Sequence, residues 1–430
     1  MIQNNTSKAA THTTTPPVRS PLIKPRKEKN NIHFLAFLLL SAFILLKVYR
    51  AFSGIDAETA GGPWNAIQIV FVLWGIVFIY QDAPRLLLNG SILTLLIFSA
   101  FALVFSLTYI QTDAEMKLYF DVAMLPYGAM MMIVFFEVGS RYGVQKNHLF
   151  ILAYYIAALI LIVSMATFYD SGADLEEKGA VADVYYILGL LPLMLVYTPK
   201  KWLFLPILVC SVAIAFSGKR AGLLAIAAML LIFALSVMTK SQMSFAKKLG
   251  FFLLVIASVI ALYYILMYLD ETYHMRLFER MESLETDGGS GRDRLWVRTI
   301  NSLRRFNFIE LLTGMGKGSV RQSIGIQAHN DFLHVLHEHG VFAVLFYALS
   351  YIFLLREAIA MYRNKYPYAH LYLMSVVCSL FVAMFSFFII YPTYCTGGMV
   401  CAGFFIGDHY RFKLENNLFR RKKYGRSRKK

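Results

Sequence analysis

Three side chains in this sequence have the types needed for group transfer at a phosphate ester: Arg220, Arg292 and His329. Arginine offers a planar fork of N–H donors that matches the oxygens of a phosphate or diphosphate, without a metal. Histidine, with an ordinary pKa of about 6.5, is the side chain best suited to take a proton from a hydroxyl near neutral pH. Arg220 belongs to Ser217-Gly218-Lys219-Arg220-Ala221-Gly222, a turn between two apolar runs, and so stands at a helix start where free backbone N–H groups add to its pull on an anion. The alternative is an interfacial arginine that anchors the helix. Arg292 opens the run Gly291-Arg292-Asp293-Arg294-Leu295-Trp296, whose spacing predicts an amphipathic helix with Leu295, Trp296, Thr299, Ile300, Leu303 and Phe306 on its less polar face. His329 lies in Ala328-His329-Asn330-Asp331-Phe332-Leu333; with Phe332, Leu333 and Leu336 it follows a helical i, i+3, i+4, i+7 pattern, which predicts a place on a buried face. A structural histidine bonded to a carbonyl is the competing reading. Lys219, Arg294, Arg298 and Asn330 are secondary candidates.

The elements that must position these residues are membrane helices. Of 430 residues, 58% are hydrophobic and 16% charged, with a mean hydropathy of +0.55, whereas a soluble domain carries nearer a quarter charged residues. Several apolar runs exceed the roughly 18 residues of a spanning helix. The fold expected is an all-α polytopic membrane protein of about twelve transmembrane helices, near 34–52, 64–80, 86–110, 118–138, 149–169, 182–197, 202–217, 221–238, 249–269, 340–355, 370–391 and 396–407. The chain then divides into a disordered cytoplasmic tail (1–33), helices one to nine (34–269), a long periplasmic loop (270–339), helices ten to twelve (340–407) and a basic cytoplasmic tail (408–430). The first span reads as a signal anchor, not a cleaved signal.

Orientation follows from charge. With the N-terminus in the cytoplasm, basic residues concentrate in alternate connections and in both tails, as the positive-inside rule requires. This accounts for much of the net charge of +16 without nucleic acid. Two sites stand apart: Lys219-Arg220, and the long loop with Arg276, Arg280, Arg292, Arg294, Arg298, Arg304, Arg305, Lys317 and Arg321. Long loops escape the topogenic rule. Their cations at the outer face are therefore free to meet substrate or the headgroups of membrane lipids.

Other chemistries find less support. His334, His337, Glu338 and His339 sit close enough on a helix for a metal site, yet form no His-Glu-x-x-His motif, and no metal or cofactor is expected. Cys210, Cys378, Cys395 and Cys401 include no Cys-x-x-Cys pair and read as small buried residues. There is no phosphate-loop signature, no Gly-x-Ser-x-Gly elbow and no Asp-x-Asp. Few acidic residues fall inside the spans, which argues against a proton-coupled pump.

In this setting the sequence resembles the O-antigen ligase and O-antigen polymerase superfamily of bacterial inner-membrane glycosyltransferases. The resemblance rests on Ser217-Gly218-Lys219-Arg220, Arg292-x-x-x-Trp296, Gly314-Met315-Gly316, His329-Asn330-x-x-Leu333 and Glu338-x-Gly340, in that order, with a large loop before the last few spans. The family commonly has Ser-Gly-Ser-Arg where this chain has Lys219 before its arginine. The resemblance implies an undecaprenyl-diphosphate-linked glycan as donor and a lipid A core sugar, or a growing glycan, as acceptor. It implies that Arg220 and Arg292 bind the diphosphate, that His329 is the base, and that transfer is inverting and metal-independent. Ligase is favoured over polymerase, with no residue that separates the two, and a protein-directed oligosaccharyltransferase is disfavoured because the chain is of ordinary ligase length and lacks an added C-terminal soluble domain. A twelve-span transporter or flippase, and a scaffold whose basic loop binds anionic lipid, are the readings from other classes.

Overall fold

A computed structural model describes residues 31–53, 62–109, 116–170, 183–240, 291–389, 391 and 394–427, with scattered positions between 244 and 272. Among the described residues the chain is helical, with no strand. This is what apolar surroundings dictate, because a helix satisfies its backbone polar groups within one segment.

The helices are α1 (Asn31–Ser53), α2 (Pro63–Leu87), α3 (Gly90–Tyr109), α4 (Met116–Ala123), α5 (Tyr127–Tyr142), α6 (His148–Asp170), α7 (Val184–Tyr197), α8 (Phe204–Ser217) and α9 (Arg220–Lys240). Beyond the incompletely described stretch come α10 (Arg292–Leu303), α11 (Phe308–Thr313), α12 (Ser319–Ile324), α13 (Asp331–Arg363), α14 (Ala369–Phe385) and α15 (Thr396–Ser427). Seven helices are long and apolar enough to cross a membrane, or eight if α4 and α5, bent by 42°, act as one span. The apolar helices α7 and α14 are shorter. Most of the ninth expected span and the loop residues Arg276 and Arg280 lie outside the described residues.

The centre of the bundle is α5, α7 and the first half of α15. Nearly every side chain of α5 and α7 is buried, so α7 meets protein on all sides. The α5–α15 contact is close because glycine occupies it. A Cβ at Gly403 would stand 2.1 Å from the Met132 carbonyl oxygen, and one at Gly407 would stand 2.1 Å from that of Phe136. Small residues at such contacts let two backbones approach where lipid supplies no hydrophobic drive. Around this centre α1 packs on α6, α2 on α5, α9 on α14, and α3 along α13. The last helix runs on past residue 407 without a break, and His409 remains buried, 2.7 Å from Glu357.

Helix α13 is broken at a glycine. Within α13, Gly340 has φ 77° and ψ −176°. The segment before it, Asp331–His339, belongs with α10–α12; the segment after it packs with the bundle.

Candidate functional site

The turn at residues 217–220 is built from short-range bonds. Gly218 ends α8 in the left-handed region (φ 60°, ψ 11°), and its N–H reaches the Ala215 carbonyl. Ser217 Oγ donates to the Ile214 carbonyl at 2.6 Å and accepts from the Lys219 amide at 3.2 Å. The Lys219 carbonyl receives the amides of Gly222 and Leu223 at 2.9 and 3.1 Å. Lys219 is thus the cap of α9 and Arg220 its first residue, among N–H groups that have no partner within the helix. Both side chains are half-buried.

Helix α10 presents one face to the protein. Thr299 is fully buried, while Arg292, Leu295, Trp296, Ser302 and Leu303 are half-buried. The Trp296 ring lies 6.4 Å from that of Phe385. Its indole N–H is buried without a hydrogen-bond partner among the described residues. Arg294 and Arg298 point outward. Ile300 corrects the sequence-based face: it is 40% exposed, because at 100° per residue it falls on the flank beside Trp296 rather than over it.

His329 also corrects an expectation. It does not begin the helix; it stands before it with φ 50°, one of two described non-glycine residues at positive φ. Asn330 is the cap, its Oδ1 accepting from the Leu333 amide at 3.0 Å. A residue before a cap is free of the helical repeat, so the i, i+3, i+4 reading cannot place it. His329 is held instead by Phe387, ring centroids 4.5 Å apart and planes tilted by 35°. Asn330 Nδ2 donates to the Met384 carbonyl at 3.1 Å, tying this corner to the end of α14.

Asp331, to which the sequence reading gave no role, fixes the other side. It is fully buried, and its carboxylate accepts from the amides of Phe388 and Ile389, at 3.0 and 2.7 Å, and from the Tyr347 hydroxyl at 2.9 Å. The chain that carries Phe387 is thereby pinned against the start of α13. In sequence, an aspartate in a first helical turn reads only as a favourable partner of the helix dipole.

Electrostatics bring the predicted residues together. Burial pushes His329 down to about 4, and Arg292, Lys219 and His334 push it in the same direction. Burial also lowers the pKa of Arg292, with Arg220 adding to the effect and Tyr185 opposing it. Arg292 and Lys219 thus act on His329, and Arg220 acts on Arg292, and the lowered pKa favours the neutral imidazole, the form that can accept a proton.

The histidines after His329 are engaged by protein. His337 lies between two hydroxyls, Ser302 Oγ at 3.0 Å and Ser319 Oγ at 3.1 Å, and links α10 to α12. His339 Nδ1 is 3.2 Å from Ser106 Oγ on α3. Glu338 is buried; its carboxylate accepts from the Gly318 amide at 2.7 Å and lies 2.9 Å from His334 Nε2 and 3.4 Å from Lys317 Nζ. Among the described residues, no group of three or more His, Cys, Asp or Glu side chains is arranged to hold a metal ion.

Two of the short motifs prove to be one joint. The amides of Met315 and Gly316 donate to the carbonyls of His337 and Glu338, at 3.0 and 2.9 Å. In an unbroken helix those carbonyls would meet the amides four residues on, so their capture goes with the break at Gly340. Side chains are excluded on both sides. A Cβ at Gly314 would lie 2.3 Å from the Glu338 backbone, and one at Gly340 would lie 2.1 Å from the Leu312 carbonyl oxygen. The joint holds α10–α12 against the segment that begins at His329.

No curated protein matches the chain. Residues 205–348, which include Arg220, Arg292, His329 and the glycine joint, match the family model described as O-antigen ligase, and over these residues the chain is similar to that family.

Proposed function

We propose that the protein transfers a glycan from an undecaprenyl-diphosphate carrier to a sugar hydroxyl at the outer face of the bacterial inner membrane. In the leading form the acceptor is a lipid A core sugar, as in an O-antigen ligase. The observation that supports the reading most is the electrostatic linkage of Arg292 and Lys219 to His329 and of Arg220 to Arg292. In this proposal the chain crosses the membrane about twelve times, keeps both termini in the cytoplasm, and uses 270–339 as a periplasmic loop.

The chemistry follows from the side chains. Arg220 and Arg292 bind the diphosphate. The acceptor hydroxyl attacks the anomeric carbon from the side opposite the diphosphate, a new C–O bond forms, and the bond to the diphosphate oxygen breaks, inverting the centre. His329 takes the hydroxyl proton. The arginines stabilise the charge that grows on the leaving diphosphate, which is where preorganised donors act most strongly. Because they supply that charge, transfer is expected to continue in EDTA.

Complementation of a deletion strain, read on a lipopolysaccharide gel, tests the reading. For a ligase, loss leaves core-only bands while lipid-linked glycan accumulates. For a polymerase, the second form of the proposal, loss leaves core plus one repeat unit. Normal banding with His329→Ala or Arg292→Ala would reject the assigned roles.

A further inference from the structure

Helix α10 has three faces, and the site uses one. A second face, with Val297 at 56% exposure and Ile300 at 40%, runs into α11, where Phe308 and Ile309 are 74% and 66% exposed. The third is cationic: Arg294, Arg298 and Arg305 are exposed, while Arg304, also exposed, follows Ile300 by four residues on the apolar side, with Nη1 donating to Asn301 Oδ1 at 3.3 Å. Apolar groups this exposed on a soluble surface would be costly, at roughly 25 cal/mol for each Å² left in water. Helix α11 is nevertheless well formed, with a capping box in which Asn307 and Glu310 bond each other's backbone at 2.8 and 2.9 Å. Its outward apolar side is therefore a feature of an ordered element.

The patch continues into surface of a different kind. Leu312 of α11 abuts Gly340. Two residues further along α13, Phe342 is 40% exposed and stacks on Phe101 of α3, ring centroids 5.7 Å apart. Leu345 on α13, and Val104 and Leu107 on α3, are exposed in turn. Both of these helices are long and apolar enough to span a membrane. The exposed side of α10–α11 thus adjoins this apolar surface through Leu312 and Gly340, with exposed arginines beside it.

We infer that α10 and α11 lie in the surface of the outer leaflet, with Val297, Ile300, Phe308 and Ile309 among the acyl chains and Arg298, Arg304 and Arg305 on anionic phospholipid headgroups. Apolar burial and headgroup attraction reinforce each other in such helices. The opposite face of α10 carries Arg292 and Trp296, so this anchorage sets the depth of the candidate site relative to the lipid phosphates.

The test is nitroxide accessibility in the full-length protein, which does not depend on glycan transfer. Single cysteines at Val297, Phe308, Ile309, Arg294 and Asn301 are spin-labelled, the four native cysteines being buried. The protein is placed in nanodiscs of phosphatidylcholine with or without phosphatidylglycerol. Labels at Val297, Phe308 and Ile309 should collide with oxygen several-fold more than with a water-soluble nickel chelate, and those at Arg294 and Asn301 the reverse. Phosphatidylglycerol should deepen the first group, and the combined Arg298→Glu, Arg304→Glu and Arg305→Glu variant should lose that response while keeping its oxygen preference. Preference for the nickel chelate at Phe308 and Ile309, or exclusion of both probes as in a protein contact, overturns the inference. An unchanged response to phosphatidylglycerol in the charge-reversed variant overturns the headgroup assignment.

Discussion

The imidazole of His329 rests on the ring of Phe387, centroids 4.5 Å apart. What keeps that ring in place is the carboxylate of Asp331, bonded to the amides of Phe388 and Ile389. Asp331→Asn keeps the size but replaces one acceptor oxygen with a donor that opposes those amides. Leaving a buried amide without its partner costs about 1–3 kcal/mol, so a fall of several degrees in the unfolding midpoint is expected. A displacement of about 1 Å at a reacting group costs on the order of a hundredfold in rate. Asp331 touches no substrate in this account, so kcat for transfer should fall while KM for the donor stays near its original value. An unchanged kcat with lowered stability would leave Asp331 a purely structural residue.

The joint between Gly314 and Gly340 is the second point of control. Either residue changed to alanine places a Cβ within 2.3 Å of backbone atoms, at φ 75° or 77°. Backbone cannot yield as a side chain can, so each single change should detach α10–α12 from the start of α13. Positive φ alone costs alanine roughly 1–2 kcal/mol. Limited proteolysis should then cut near residues 314–318 in the variants and not in the parent, with loss of transfer. Intact protease resistance in both variants would show that the joint adapts.

Arg220 and Arg292 are proposed to hold the diphosphate through paired donors, which lysine cannot reproduce. Arg292→Lys keeps the charge and loses the fork. Its kcat/KM should drop about ten- to a hundredfold, the range expected for losing one charge-assisted bond of about 1.5–3 kcal/mol. Arg294→Ala and Arg298→Ala, whose side chains face outward, should remain within about twofold in kcat/KM at saturating acceptor. Equal losses at Arg292 and Arg298 would mean that charge at this surface acts collectively and that no single arginine grips the donor. Steady-state kinetics with lipid-linked donor separates the two outcomes.

How much of this was legible in the sequence depended on the range of the interaction. The turn at Ser217–Arg220 was readable, since its bonds run between residues two to four apart. The inward side of α10 was mostly readable from periodicity, except Ile300. His329 stands out in the sequence by its chemistry but not by its backbone, because Asn330 takes the cap and frees the preceding residue from the helix. The link from Asp331 to Phe388 and Ile389 crosses 57 and 58 residues, and no local pattern announces it. Glycines 314 and 340 belong to separate motifs in the sequence. Only their contact explains why both lack a side chain.

The pH dependence of His329 separates its roles most sharply. Burial, followed by Arg292 and Lys219, lowers its pKa from 6.5 to about 4. A histidine so shifted stays neutral in the folded protein while the unfolded chain gains a proton. Its effect on stability is therefore absent above about pH 6.5, grows unfavourable as pH falls, and is complete below about pH 4. For catalysis the same shift keeps the base form available in acid. The acidic limb of kcat/KM, which reports the free enzyme, should thus lie near pH 4. Donor binding changes the balance, since a diphosphate beside Arg292 and Lys219 offsets the charges that disfavour the imidazolium. The acidic limb of kcat should then move upward, toward the ordinary histidine value. Arg292→Gln removes one of the depressing charges and should raise the kcat/KM limb as well. Rate profiles between pH 3.5 and 8, corrected for the donor's own ionisation measured in solution, provide the comparison. A limb that Arg292→Gln leaves unmoved would reject electrostatic coupling between the diphosphate subsite and the base, even if both residues proved essential.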